Sequence, residues 1–148
     1  MNKIFNGVIA GFVATIILSA MMIVKGKMGV MPDLDIIAML AKMIGAGAIV
    51  GWVMHFMVGM GYGIAFSQIN RLLPAHSFIL KGMMIGIAGW LMMMFVLMPM
   101  MGAGMFAMNM GMMAPIMTLV LHMIFGAVLG LTYSKLNHVD VTPASIQG

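Results

Sequence analysis

The chain contains no cysteine, so disulfides, thiolate ligands and redox thiols lie outside its chemistry. Acidic residues are nearly as scarce. Asp33, Asp35 and Asp140 are the three among 148 residues, and none falls in a long apolar run. An ion-coupled transporter keeps a titratable carboxylate or a cationic partner near the bilayer midplane, and here only histidine is available at that depth. There is no P-loop, no H-E-x-x-H and no serine nucleophile with an acid and a base in reach. Their absence argues against a hydrolase or NTPase, and the chain reads as a binding protein and not an enzyme.

Charge of either sign is limited to 7% of residues, against 64% hydrophobic, and the mean hydropathy is +1.15. A soluble globule of this size could not be covered with so little polar surface, so the sequence reads as an all-α integral membrane protein. The net charge of +4 comes from basic residues scattered at membrane edges, where they anchor and orient helices, and implies no nucleic-acid partner. The lipid bilayer is the partner that the composition demands.

Four apolar stretches can cross a hydrocarbon core of about 30 Å at roughly 1.5 Å per residue: Ile4 to Val24, Ala48 to Ile69, Ile79 to Met101 and Pro115 to Tyr133. The first resembles a signal peptide in having Lys3 before it and Ser19 and Ala20 near its end. Its apolar run is too long for that, and it has a counterpart later in the chain. Lys3, Arg71, Lys81 and Lys135 fall on one side, whereas Lys25, Lys27 and Lys42 share the first loop with Asp33 and Asp35. Four basic residues against three favour cytoplasmic termini. After Pro32, the spacing of Ile36, Ile37, Leu40, Met43 and Ile44 predicts a short interfacial helix ending before Gly45. The four-helix domain spans residues 1–136, and a polar tail over 138–148, containing Pro143, reads as flexible.

Small residues recur every fourth position around two histidines. One row is Gly47, Gly51, His55, Gly59, Gly63 and Ser67; the other is Ala114, Thr118, His122, Gly126, Gly130 and Ser134. Residues four apart share a helix face, so each row forms a smooth ridge interrupted by one imidazole. Aligning His55–Asn70 with His122–Asn137 gives identity at five of sixteen positions. Gly7, Gly11 and Gly29 also match Gly82, Gly86 and Gly104 at a constant shift. We read an internal duplication: two tandem helical hairpins, about 4–70 and 79–137, related by a parallel pseudo-twofold. The second and fourth spans are expected to meet along their ridges.

His55 and His122 each lie roughly 10 Å below the outer surface, where an unpaired imidazole is costly. Three partners fit. Each ring bonds a neighbouring backbone group and only glues helices, or the pair holds a metal ion, or it ligates a haem b iron from two sides with the nearby glycines leaving room for the macrocycle.

The 25 methionines bear on this choice, since thioethers are soft neutral ligands suited to Cu(I). The densest run holds Met98, Met100, Met101, Met105, Met108, Met110, Met112, Met113 and Met117. The leading expectation is a copper site with His55 and His122 as inner ligands and the outer loop (Met98, Met101, Met105, Met108, Met110, Met112, Met113) as a capture surface. Methionine also fills irregular core gaps, and the triplet Met92, Met93, Met94 points to three helix faces, as packing residues do. His76 and His138 read as surface histidines, and Trp52 and Tyr133 as interfacial aromatics. An accessory subunit of a larger membrane complex fits the same apolar surface. The glycine faces of the first and third helices would also suit a homo-oligomer.

Several local motifs occur together: Asn6-Gly7-Val8-Ile9-Ala10-Gly11, Met31-Pro32-Asp33, Gly51-Trp52-Val53-Met54-His55-Phe56, and Ala114-Pro115-Ile116-Met117 leading to Leu121-His122. With these the chain resembles a bacterial family of small four-helix inner-membrane proteins of unknown function. The resemblance covers about residues 1–136 and implies the topology and the bacterial inner membrane. It implies no activity.

Overall fold

A computed structural model describes residues 2–30 and 34–139, with the side chains of 138 and 139 excepted. The Met31-Pro32-Asp33 turn, the side chain of His138 and the tail from Asp140 onward lie outside the described residues. All regular structure among those described is helical. Helix α1 is Lys3–Lys27, α2 is Ile36–Met43, α3 is Ala48–Ile69, α4 is Phe78–Met100 and α5 is Met113–Val139. All but α2 are long and apolar enough to cross a membrane.

Local chemistry sets the ends. Asn2, Asp35 and Ser77 accept hydrogen bonds from backbone N–H groups in the first turns of α1, α2 and α4. Helices α1, α2 and α4 each stop at a glycine of positive φ: Gly29 (67°), Gly45 (65°) and Gly102 (76°). In each case the next residue bonds back to the carbonyl five positions earlier, as in Ala46 to Ala41 (2.9 Å). Only glycine adopts this left-handed closing turn without a Cβ penalty. Within α4, Met93–Leu97 widens into a π-turn, with the Met98 N–H bonded to the Met93 carbonyl. Pro99 is the cause: it has no N–H to give the Phe95 carbonyl, and its ring crowds that oxygen.

The helices lie in the order α3, α1, α5, α4, with α3 and α4 barely touching. The expectation that the second and fourth spans meet along their ridges is corrected here. Each ridge mates within its own hairpin. A Cβ on Gly63 would strike the Gly7 carbonyl, and one on Gly11 would strike the Gly59 carbonyl. In the second hairpin, Gly82 abuts the Gly126 carbonyl and Gly86 the His122 carbonyl. A glycine ridge gains most where another backbone reaches it, and in each hairpin the partner helix carries a glycine pair of its own. Helices α3 and α5 meet instead through rings, Tyr62 with Phe125 (6.1 Å) and Phe66 with Tyr133 (5.2 Å).

These rings build a packed layer toward the end of the bundle that carries the termini. Phe66 and Leu129 are fully buried there, with Phe125, Tyr133, Ala10 and Ala14 around them. Tyr133, expected as an interfacial aromatic, is buried in this layer between the rings of Phe66 and Phe78. Beyond this layer Asn6 Nδ2 donates to Asn137 Oδ1 (3.4 Å), joining α1 to α5. Asn70 and Asn137 also donate to Phe66 (2.8 Å) and Tyr133 (2.7 Å) carbonyls, a matching pair of bonds in the two hairpins.

The opposite end, called the α2 end below, is built differently. Helix α2 packs on α3, where the Ile37 carbonyl fills the space a Gly51 side chain would take. It buries Ile37, Leu40 and Ala41, so the interfacial helix is also a wall of the bundle. The segment after α4 folds into a cap over residues 101–112. Ala103 and Ala107 are buried against Leu34, Met93, Met94 and Met98, while Phe106 packs edge-to-face with Trp90 (5.7 Å) and Phe95 (4.8 Å).

Candidate functional site

Packing leaves a cavity of about 370 Å³ between the hairpins, on the α2 side of the aromatic layer. Every helix contributes to its wall. His55 comes from α3 and His122 from α5, with Tyr62 and Phe125 at the floor and Leu34 and Leu40 toward the α2 end. Two hairpins whose ridges are already mated cannot also close tightly on each other. Their facing side chains therefore meet through rings at one end and leave space at the other.

The two imidazoles are held in different ways. In His122, Nδ1 lies 2.8 Å from the Thr118 carbonyl oxygen. A carbonyl only accepts, so Nδ1 carries the proton, and in the corresponding neutral tautomer the lone pair is on Nε2. Thr118 is in turn fixed: its hydroxyl donates to the Ala114 carbonyl (2.7 Å) and accepts from Trp90 Nε1 (3.1 Å). This is the arrangement by which a backbone carbonyl sets the tautomer of a metal-binding histidine. His55 is 8% exposed, and its Nε2 is buried with no hydrogen-bond partner among the described residues. Its ring packs edge-on to Trp52 and Phe56, each with centroids 6.0 Å away.

Of the residues expected to form a site, His55 and His122 share the cavity and the loop methionines do not line it. Met98 is fully buried in the cap's core. Met105, Met108, Met112 and Met113 are exposed on the cap or at the start of α5, and Met101 and Met110 are half-buried. The cap turns its alanines inward, and its methionines are left outside. The thioethers that line the cavity belong to Met22, Met43, Met54, Met92, Met93 and Met100. Sequence reasoning passed over five of these. Two sit in the triplet read as packing, and the signal was Pro99, whose π-turn resets the faces of α4.

Among the described residues, no three His, Cys, Asp or Glu side chains converge on a metal-sized space. A metal ion here would take two imidazole nitrogens and complete its shell with sulfur. The room expected beside the glycines for a macrocycle is already filled. Thr15 occupies the space at Gly59, and Gly82 with Met83 the space at Gly126. His76 is exposed, as expected of a surface histidine.

No curated protein and no solved structure matches the chain. A family match does cover residues 1–143, nearly the whole length, including both histidines and every helix described above. The chain belongs to DUF6789, a family of unknown function.

Proposed function

We propose that this protein is a membrane-embedded binding protein for a soft monovalent metal ion, Cu(I), held between His55 and His122. Sulfur of Met54, Met92 or Met93, on the imidazole side of the cavity wall, completes the shell. The observation that carries this reading is the pair of imidazoles in one apolar cavity. One has a buried Nε2 with no partner among the described residues, and the other has its proton placed on the far nitrogen by a carbonyl. A buried acceptor or donor left unmade costs about 1–3 kcal/mol, and a bound ion offsets that cost.

The donor set selects the ion. Imidazole and thioether are neutral, so they suit a single positive charge in a medium of low dielectric. Hard divalent ions prefer carboxylates, and none lines the described cavity. The filled spaces at Gly59 and Gly126 favour an ion over a haem b. We place the protein in a bacterial inner membrane with both termini cytoplasmic, which turns the α2 end outward. The exposed methionines of the cap then serve as the first surface an arriving ion meets.

The test is Cu(I) binding by purified protein against the His55→Ala, His122→Ala double variant. We expect one tight site per chain in the wild type and its loss in the variant. Equal affinities overturn the reading, and a Soret band in the native preparation replaces it with haem.

A further inference from the structure

The cavity has a floor and a flank of methionines, and the two together define a direction. Met54 adjoins His55, and Met92 and Met93 lie nearly two turns, roughly 10 Å, past Gly86, which packs on the His122 carbonyl. Met22, Met43 and Met100 line the cavity nearer the α2 end, and Met43 (41%) and Met100 (67%) are exposed there. Soft donors thus run from the surface of the α2 end to the depth of the imidazoles. On the rim, Lys25 Nζ is turned onto the Leu34 carbonyl (3.0 Å).

Toward the termini the chemistry changes. Tyr62 and Phe125 meet edge-to-face across the floor, and Phe66, Leu129 and Tyr133 are packed beneath them. From Phe125 to Asn137 is twelve residues, or roughly 18 Å of helix. The core cluster over that depth contains no imidazole and no thioether among its described members. A cation entering it would lose its ligands in a medium where an uncompensated charge is penalised by several kcal/mol or more.

We infer that the site is one-sided: the ion enters and leaves along the methionine-lined flank at the α2 end, and the aromatic layer bars the way to the termini. The protein receives a soft cation at one membrane face and hands it back at that same face. It does not carry the ion across. This rests on the metal reading above, and the test separates the two.

The probe is Ag(I), a redox-inert analogue of Cu(I), added outside vesicles that carry the full-length protein in mixed orientation and a silver-sensitive dye in the lumen. Half of the sites should fill from outside, all of them should fill once detergent dissolves the vesicles, and the dye should stay silent. A lumen signal above that of protein-free vesicles, or filling of all sites in intact ones, overturns one-sidedness while leaving the site itself in place. Failure to retain Ag(I) even in detergent overturns the metal reading and the route with it. The triple variant Met22→Leu, Met43→Leu, Met100→Leu should fill about tenfold more slowly to the same stoichiometry. Filling at the wild-type rate removes the methionines from the route.

Discussion

Nδ1 of His122 lies 2.8 Å from the carbonyl oxygen of Thr118, one turn earlier on the same helix. That bond commits the ring's proton to one nitrogen and leaves the lone pair on the other. In His55 the Nε2 is enclosed, with no hydrogen-bond partner among the described residues. The two rings are therefore held differently, one by a backbone carbonyl and one by aromatic neighbours.

Single replacement of either imidazole by alanine should weaken Cu(I) or Ag(I) binding by about 100-fold or more, since even residues behind a metal ligand matter by 10–100-fold. A competition titration with a chromophoric chelator reads this directly. If only one of the two variants responds, the ion is not shared between them.

Gly61 and Gly63 make a matched pair for helix packing. A Cβ at Gly61 meets nothing within 4 Å, whereas one at Gly63 runs into the Gly7 carbonyl. Gly61→Ala should be neutral or stabilise by up to about 1 kcal/mol through helix propensity. Gly63→Ala should destabilise by about 1–3 kcal/mol through forced separation of α1 and α3. Unfolding in mixed micelles compares them.

Trp90 Nε1 donates to the Pro115 carbonyl and the Thr118 hydroxyl, both at 3.1 Å. Trp90→Phe keeps most of the ring and loses both bonds, and should lower stability by about 1–2 kcal/mol. Thermal unfolding of the purified variant checks it. An unchanged midpoint would mean that Thr118 holds its place without the indole.

Pro99→Ala restores the missing N–H, so the Phe95 carbonyl can accept from position 99 and the π-turn should relax to regular α-helix. The faces of α4 then rotate relative to one another, and Met92 and Met93 shift away from the imidazoles. Circular dichroism should be unchanged while metal affinity falls by about tenfold or more. Unaltered affinity would separate these sulfurs from the site.

Much of the fold was legible along the chain. The expected span Ala48 to Ile69 coincides with α3, and the others differ from their helices by a few residues at the ends. Asp35 and Gly45 bracket α2 as their side-chain chemistry requires. The candidate site was legible in part. The two histidines were found because a polar ring interrupting a ridge of small residues is conspicuous. The methionines that line the cavity were not singled out, because density in sequence drew attention to the loop, whose methionines do not line it. Gly7, Gly11, Gly82 and Gly86 carried the missing information, since they are the backbones that the ridges of α3 and α5 meet.

By itself the sequence determined that four helices are long and apolar enough to cross a membrane, roughly where they begin and end, and that imidazoles and no carboxylates lie well inside them. Those properties are local: hydrocarbon thickness sets the length, and the backbone must satisfy its own hydrogen bonds within each helix. Only the tertiary structure decided which helix each ridge faces and which sulfurs share a cavity with His55 and His122. Helices that are apolar all round carry no stripe to fix their rotation, so that choice falls to backbone contact between glycines far apart in the chain.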